Sequence, residues 1–154
     1  MSVQIALPSG REVVVTRHFD APARLVFDAL TKPELIRRWY GPDGWTMESC
    51  EVDLRVGGAW RFVSIQPEGR KVGQKGVYME IVPGERLVNT EFWEDWDAGE
   101  TVVTTVLTEQ DGKTVFTATI LFPTEEVRDF VLKSGLESSA GGMYDKLAGV
   151  LASL

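Results

Sequence analysis

The segment from Thr16 to Phe62 constrains the fold of this chain more than any other. An alternating, valine-rich stretch leads into Ala21-Pro22, which suits the start of a helix, and then into an apolar helical face. A second short helix follows, and Gly57-Gly58 marks a tight hairpin between two strand-like stretches. This order predicts a sheet curled around one long helix, with a cavity between sheet and helix.

Strand-like stretches recur along most of the chain. They are short, they are joined by turn residues, and beyond the first of them no helix separates one from the next, which indicates an antiparallel sheet of about seven strands and an α+β fold. The expected strands are Arg11–Phe19, Trp45–Leu54, Ala59–Ile65, Val72–Val82, Arg86–Trp93, Thr101–Leu107 and Thr114–Phe122.

The helices are predicted from their starts and stops. Asp20 is expected to cap the first helix, and Pro33 to begin a second one that ends near Tyr40. Thr124, followed by two glutamates, indicates the start of a third helix. This helix is expected to end near Gly135, before a long C-terminal helix. A single kinked helix after Thr124 is the alternative.

Size and charge exclude several classes of function. The chain has 154 residues, so we expect one domain spanning residues 1–154. Its net charge of −7 disfavours nucleic acid, which binds basic patches, and an anionic membrane surface. Without a recognisable signal peptide or a stretch apolar enough to span a bilayer, we expect a cytoplasmic protein, monomeric or homodimeric.

Metal and nucleophile chemistry have little support in the sequence. The chain has one cysteine, Cys50, and one histidine, His18, whereas a structural zinc site needs four ligands. No recognisable motif places a serine or cysteine nucleophile beside His18. We therefore expect no metal, no cofactor and no catalytic residue, and interpret both side chains as structural.

Several motifs, in a fixed order, resemble one known family. They are Trp39-Tyr40-Gly41-Pro42, Asp53–Gly58, Gly76–Ile81 and Pro83–Val88. Together they resemble bacterial proteins related to the activator of the heat-shock-protein-ninety ATPase, within the START-like or SRPBCC superfamily. The resemblance implies a helix-grip fold, in which a bent antiparallel sheet wraps the C-terminal helix, and a role in binding a hydrophobic small molecule. Many relatives have Gly-Trp near the start of the last helix, where this chain has Gly142-Met143.

Aromatic and apolar side chains on different elements are candidates for lining the cavity. Trp60 and Phe62 alternate along one strand and so share a face. Each residue taken singly is better explained as part of an ordinary packed core, whereas for the set as a whole the resemblance favours a cavity lining. The expected ligand-binding residues are Trp39, Trp60, Phe62, Tyr78, Glu80, Phe92, Phe116, Phe130, Met143 and Leu147.

Glu80 carries the sharpest chemical expectation. By alternation it shares a face with Tyr78, and a carboxylate facing an apolar cavity would have a raised pKa and could act as an acid or a base. A place on the solvent side is the alternative. Gly141-Gly142 either makes room for a ligand or marks a displaced helix start. The acidic segment from Glu91 to Glu100 is interpreted as a solvated hairpin end, with a cavity mouth or a partner-binding edge as the alternative.

Three functions are compatible with these features. We favour a binding module that holds a hydrophobic or aromatic small molecule without turnover. The fluorescence of Trp39 and Trp60, which are expected near the cavity, would report the binding. An enzyme that acts on an aromatic or polyketide-like substrate through a cavity carboxylate or tyrosine is the second hypothesis. A protein-interaction domain with an exposed apolar patch is the third.

Overall fold

The computed structural model describes residues 3–154, which form a curved antiparallel sheet and four helices. The eight strands follow the spatial order β1-β2-β8-β7-β6-β5-β4-β3. Their bounds are β1 Gln4–Ala6, β2 Glu12–Phe19, β3 Thr46–Val52, β4 Ala59–Ile65, β5 Lys71–Val82, β6 Arg86–Trp93, β7 Trp96–Gln110 and β8 Lys113–Leu121. The helices are α1 Ala23–Thr31, α2 Pro33–Trp39, α3 Glu125–Lys133 and α4 Leu136–Ala152.

The predicted helix-grip fold is confirmed, with eight strands instead of about seven. The additional strand, β1, pairs antiparallel with β2, so that Gln4 lies opposite Thr16. Three residues are too short a stretch to show the period-two alternation by which a strand is detected in sequence. No helix in the described part of the chain is long and apolar enough to cross a bilayer.

The inner face of the sheet holds the helix that the strands wrap. Along β2, alternate residues from Val13 to Phe19 are buried, and the pairing with β8 continues this face through Phe116 and Ala118. Helix α4 packs on it through Tyr144, Leu147, Val150 and Leu151, all of them buried. Helical and strand periodicity thus turn the apolar side chains of both elements towards a shared core.

Helix α1 is capped from another part of the chain. Asp20 was expected to cap it, but Pro22 occupies the N-cap position, and the Ala23 N–H donates to Oε1 of Glu109 at 2.6 Å. Glu109 lies near the end of β7, beside the turn to β8, and its carboxylate reaches the helix start from there. The prediction for Asp20 was therefore wrong, because sequence proximity does not reveal a cap supplied across the fold.

The two C-terminal helices are separated by a left-handed residue. The Val127 N–H donates to Thr124 Oγ1 at 3.1 Å, as the predicted helix start requires. Gly135 adopts φ +93°, a conformation that few side chains tolerate, and this ends the alternative of one kinked helix. Every residue of α3 retains accessible surface, and its exposed Phe130 contacts Trp96 with ring centroids 5.1 Å apart.

The glycine pair of α4 lies inside the helix, so neither expectation for it was right. Gly142 is exposed, and open space surrounds the position where a Cβ would lie. It therefore makes no room for a molecule in the space between the sheet and α4, which we call the grip. We expect Gly142→Ala to raise the free energy of unfolding by about 0.5–1 kcal/mol, because alanine restricts the unfolded chain and suits a helix. Gly57→Ala is the control: its surroundings are equally open, but φ is +83°, and it should destabilise. Thermal unfolding of both variants measures the difference, and a destabilised Gly142→Ala would contradict this account.

Candidate functional site

The space between the sheet and α4 is packed with aromatic rings. Tyr144 of α4 lies 5.0 Å from Phe116 and 6.3 Å from Trp39, measured between ring centroids. Tyr40, directly after α2, lies 5.0 Å from Phe62, which lies 4.7 Å from Trp60. The rings form one continuous apolar wall, contributed by the sheet, the end of α2 and α4.

Seven of the ten residues expected to line the interior lie in this core or against it. Trp39, Trp60, Phe62, Tyr78, Phe116 and Leu147 are buried members of the core, and Met143 packs against it while partly accessible. Their contact with a ligand stays a prediction.

Glu80 lies on the outer face of the sheet, contrary to the expectation. A β-bulge between Tyr78 and Glu80 shifts the register of β5 against β6, so the two side chains do not share a face. Glu80 is exposed, lies opposite Val88, and forms an ion pair with Arg86 at 3.0 Å. Alternation could not reveal this, because one extra residue reverses the facing of everything beyond it.

Phe92 and Phe130 also lie outside the interior. Phe92 pairs with Lys75 and lines a shallow groove of about 370 Å³ on the outer face, together with Val77. Phe130 is 58% exposed on α3. Both assignments to the cavity were wrong, because an aromatic residue in a strand or an amphipathic helix does not by itself identify the inner side.

Glu91 of β6 is the carboxylate that the structure places on the inner face. It lies opposite Thr101 of β7, which is buried, and shares strand parity with the core residue Leu87. Gln74 of β5 connects it to the aromatic wall, since Tyr40 Oη donates to Gln74 Oε1 at 3.0 Å and the side chain of Gln74 hydrogen-bonds the Glu91 carboxyl. Because the amide oxygen accepts from tyrosine, the amide nitrogen donates to the carboxylate.

Glu91 was not expected on the inner face, because in the sequence it belongs to the acidic segment interpreted as a solvated hairpin end. Strand alternation offers two faces in β6, one with Leu87 and Glu91 and the other with Val88 and Phe92. The second is the more apolar, and it is the outer one. Only the register with β5 and β7 identifies the inner face.

Burial raises the pKa of Glu91 to about 7, against a hydrogen bond from Gln74 that lowers it. Burial also raises the pKa of Tyr40 and Tyr144, with a further increase from the nearby Glu91 charge. Glu91 keeps some accessible surface and has no basic partner within ion-pair distance among residues 3–154. The inner face therefore holds a carboxylate that takes up and releases protons near neutral pH.

The two other reactive candidates are poorly placed for chemistry. Cys50 is buried, and burial raises the pKa of its thiol to about 11, which lowers its nucleophilicity at neutral pH. His18 is exposed on β2. The inner-face cation, Arg17, is paired with Asp145 of α4 at 2.9 Å and lies over the Phe19 ring.

Gly76 lets Trp60 reach the strand that carries Glu91. The indole Nε1–H of Trp60 crosses β5 at Gly76 and donates to the Thr90 carbonyl at 3.2 Å. A Cβ at Gly76 would clash with that carbonyl and lie 2.6 Å from the indole nitrogen. The Val77 N–H donates to Thr90 Oγ1 at 2.9 Å, and the register of β6 against β7 shifts just past Glu91. Such irregularities change the direction in which side chains point from a sheet.

We expect Gly76→Ala to lower the free energy of unfolding by about 1–3 kcal/mol, because backbone and indole must separate to admit the methyl group. Gly73→Ala on the same strand is the control, since the added carbon would meet only the movable end of Glu94. Denaturant unfolding gives the energies, and the NMR signal of the Trp60 indole N–H reports the displaced ring. Equal effects of the two substitutions would contradict this geometry.

Two grooves on the surface of the described residues lie outside the space between the sheet and α4. The larger, about 720 Å³, lies between the start of α1 and the turn from β5 to β6, and is lined by Arg24, Glu85, Leu107 and Glu109 among others. The smaller is the outer groove beside Phe92. Neither is the expected preformed hollow between sheet and α4, where aromatic side chains pack against one another instead.

A protein-family model described as "Activator of Hsp90 ATPase homolog 1-like protein" matches residues 20–152. None of the curated proteins compared with the chain matches it.

Solved structures extend the similarity to the whole fold. A protein from Rhodobacter sphaeroides is 33% identical, with 100% of both chains covered and a TM-score of 0.94. One from Nitrosomonas europaea is 26% identical over 96% of this chain and 97% of its own, with a TM-score of 0.87. The AHSA1 protein from Silicibacter pomeroyi is 21% identical over 92% of this chain and 98% of its own, with a TM-score of 0.76, and shares the fold.

The sequence motifs resemble one family, and the family match confirms it. The order of the strands and the packing of α4 against the sheet agree with this. The fold of this family commonly holds hydrophobic ligands. The chain belongs to the bacterial family related to the activator of Hsp90 ATPase, within the START-like superfamily.

Proposed function

We propose that the protein binds a hydrophobic or aromatic small molecule between the sheet and α4. The observation that carries the proposal is the continuous wall of aromatic rings on the inner face, which ends at the polar pair Gln74 and Glu91. Apolar walls with a few convergent polar groups are typical of small-molecule sites. Membership of a fold family that commonly holds hydrophobic ligands supports the same conclusion.

Helix α3 is the element that would move to admit the molecule. All of its residues retain accessible surface, Gly135 provides a left-handed joint to α4, and the contact between Phe130 and Trp96 connects it to the hairpin of β6 and β7. Weakly buried elements open at low free-energy cost. Displacement of α3 would give access to the inner face, and the packed rings would then separate around the ligand.

A titration with N-phenyl-1-naphthylamine, a neutral aromatic probe that fluoresces in apolar surroundings, tests the proposal. We expect saturable binding of one probe per chain. Val103→Phe, on the inner face of β7 opposite Ile120, should weaken it, whereas Val106→Phe, on the outer face of the same strand opposite Arg86, should not. Absence of saturable binding, or equal loss in both variants, would contradict interior binding.

A second candidate function is proton transfer to or from the bound molecule. It is favoured by Glu91, because a carboxyl with a pKa near 7 suits a general acid or base at neutral pH. To test it, a panel of aromatic ketones is incubated with the protein in deuterated water, and the masses of the ketones are measured. Incorporation of deuterium into a ketone with the parent protein but not with Glu91→Gln would support turnover. Unchanged ketone masses with both proteins would support binding without turnover.

A further inference from the structure

The carboxylate on the inner face has no positive partner within the described chain. Its hydrogen-bonded neighbour is the amide of Gln74, and the titratable groups that its charge affects are the phenols of Tyr40 and Tyr144, which are uncharged at neutral pH. Arg17, the cation of the same face, bonds Asp145 through one guanidinium nitrogen, and its buried Nε has no hydrogen-bond partner among the described residues. An ionised carboxylate offers about four acceptor sites, so most of those on Glu91 are left for a ligand.

The groups around Glu91 are of the kind that attract cations. Trp60 reaches the backbone next to Glu91 through its bond to the Thr90 carbonyl, and Tyr40 and Tyr144 lie near enough to sense the Glu91 charge. Aromatic faces carry negative potential and hold ammonium groups, most strongly tryptophan and where water is excluded. A carboxylate beside such rings adds an acceptor for the N–H donors of the same group.

The surface next to Glu91 is also negatively charged. The acidic segment from Glu91 to Glu100 continues β6 into β7 at the end of the sheet next to Glu91, and the whole chain carries −7. A negative field raises the local concentration of cations and lowers that of anions. Fatty acids and aromatic carboxylates are disfavoured by this field.

We propose that the interior selects a hydrophobic amine, with the aromatic body of the ligand against the ring wall and its ammonium group on the Glu91 carboxylate. This inference rests on the proposed binding function and specifies its ligand class. Gln74 and Tyr40 position the carboxylate: the tyrosine donates to the amide oxygen, and the amide nitrogen donates to Glu91. The ammonium replaces the proton that Glu91 carries in part of the unliganded molecules.

Three probes of nearly equal shape test the inference: 1-naphthylmethylamine, 1-naphthalenemethanol and 1-naphthoic acid. Isothermal titration calorimetry at pH 8 should show that the amine binds about 10- to 100-fold more tightly than the alcohol. This is the gain in affinity expected of a charged hydrogen bond in a partly buried site. Glu91→Gln should reduce this ratio towards one. Glu80→Gln, which removes an exposed carboxylate from the outer face of β5, should leave the ratio intact.

Proton linkage gives an independent readout. Since the amine binds the ionised carboxylate and remains charged itself, its affinity should rise about tenfold from pH 6 to pH 8 and should not rise in Glu91→Gln. Equal affinity of amine and alcohol, or tighter binding of the naphthoate through Arg17, would overturn the amine inference while leaving the binding function intact. Binding of none of the three probes would contradict the proposed function and the amine inference together.

Discussion

Glu91→Gln is expected to stabilise the unliganded protein at pH 8 by up to about 3 kcal/mol and to change its stability little at pH 4. The reason is the cost of holding a carboxylate on the inner face, where burial raises its pKa from 4.5 to about 7. Glutamine keeps the size and the polar end of the side chain but carries no charge. Urea unfolding of both proteins at a series of pH values measures the difference.

The direction of the pH dependence follows from where the protons are bound. Below pH 4.5 the group is protonated in the folded and the unfolded state, so it imposes no penalty. Between pH 4.5 and 7 the folded state binds more protons than the unfolded state, and stability falls as pH rises. Above pH 7 the whole penalty is present. The difference between variant and parent should therefore grow between pH 4.5 and 7 and then level off.

Glu80→Gln is the matched control for this stability measurement. It makes the same substitution directly after the bulge of β5, at an exposed carboxylate that pairs with Arg86. Surface pairs contribute about 0–1 kcal/mol, so a small destabilisation is expected. A Glu91→Gln variant no more stable than its parent at pH 8 would show that the carboxylate is solvated and not held in the core.

Leu147→Ala is expected to lower the free energy of unfolding by about 2–5 kcal/mol, because the Leu147 side chain is fully buried at the centre of the face that α4 presents to the sheet. Alanine suits a helix, so the loss reports packing and not helix propensity. Chemical denaturation provides the measurement, with an unchanged dependence on denaturant as the sign of a two-state comparison.

Leu154→Ala supplies the control for Leu147, since it removes the same atoms from a side chain that is 52% exposed just beyond α4. We expect a change of less than about 0.5 kcal/mol there. If the two substitutions had similar small effects, α4 would not be gripped by the sheet.

Much of the architecture could be predicted because it depends on local patterns. Thr124, Pro33 and Gly135 mark helix boundaries through cap and backbone chemistry that the chain carries at those positions. Strand alternation in β2 and β4 likewise depends on neighbouring residues. The fold follows once these elements are placed in order.

The polar part of the site could not be predicted, because it depends on register. Glu80 lies on the outer face because of a bulge after Tyr78, and Glu91 lies on the inner face because the less apolar side of β6 is the one that faces the core. Each bulge adds a residue without a sequence signal strong enough to locate it. The cap that Glu109 gives to α1 is a second case, since partners 86 residues apart leave no local trace.

Two-dimensional NMR of the nitrogen-15-labelled protein during titration with 1-naphthylmethylamine locates the bound molecule. If it binds between the sheet and α4, the largest shifts should occur at the indole N–H signals of Trp39 and Trp60, which donate to the buried carbonyls of Ala29 and Thr90. Shifts confined to the outer face, at the backbone amides of Val77 and Phe92, would contradict binding at this place.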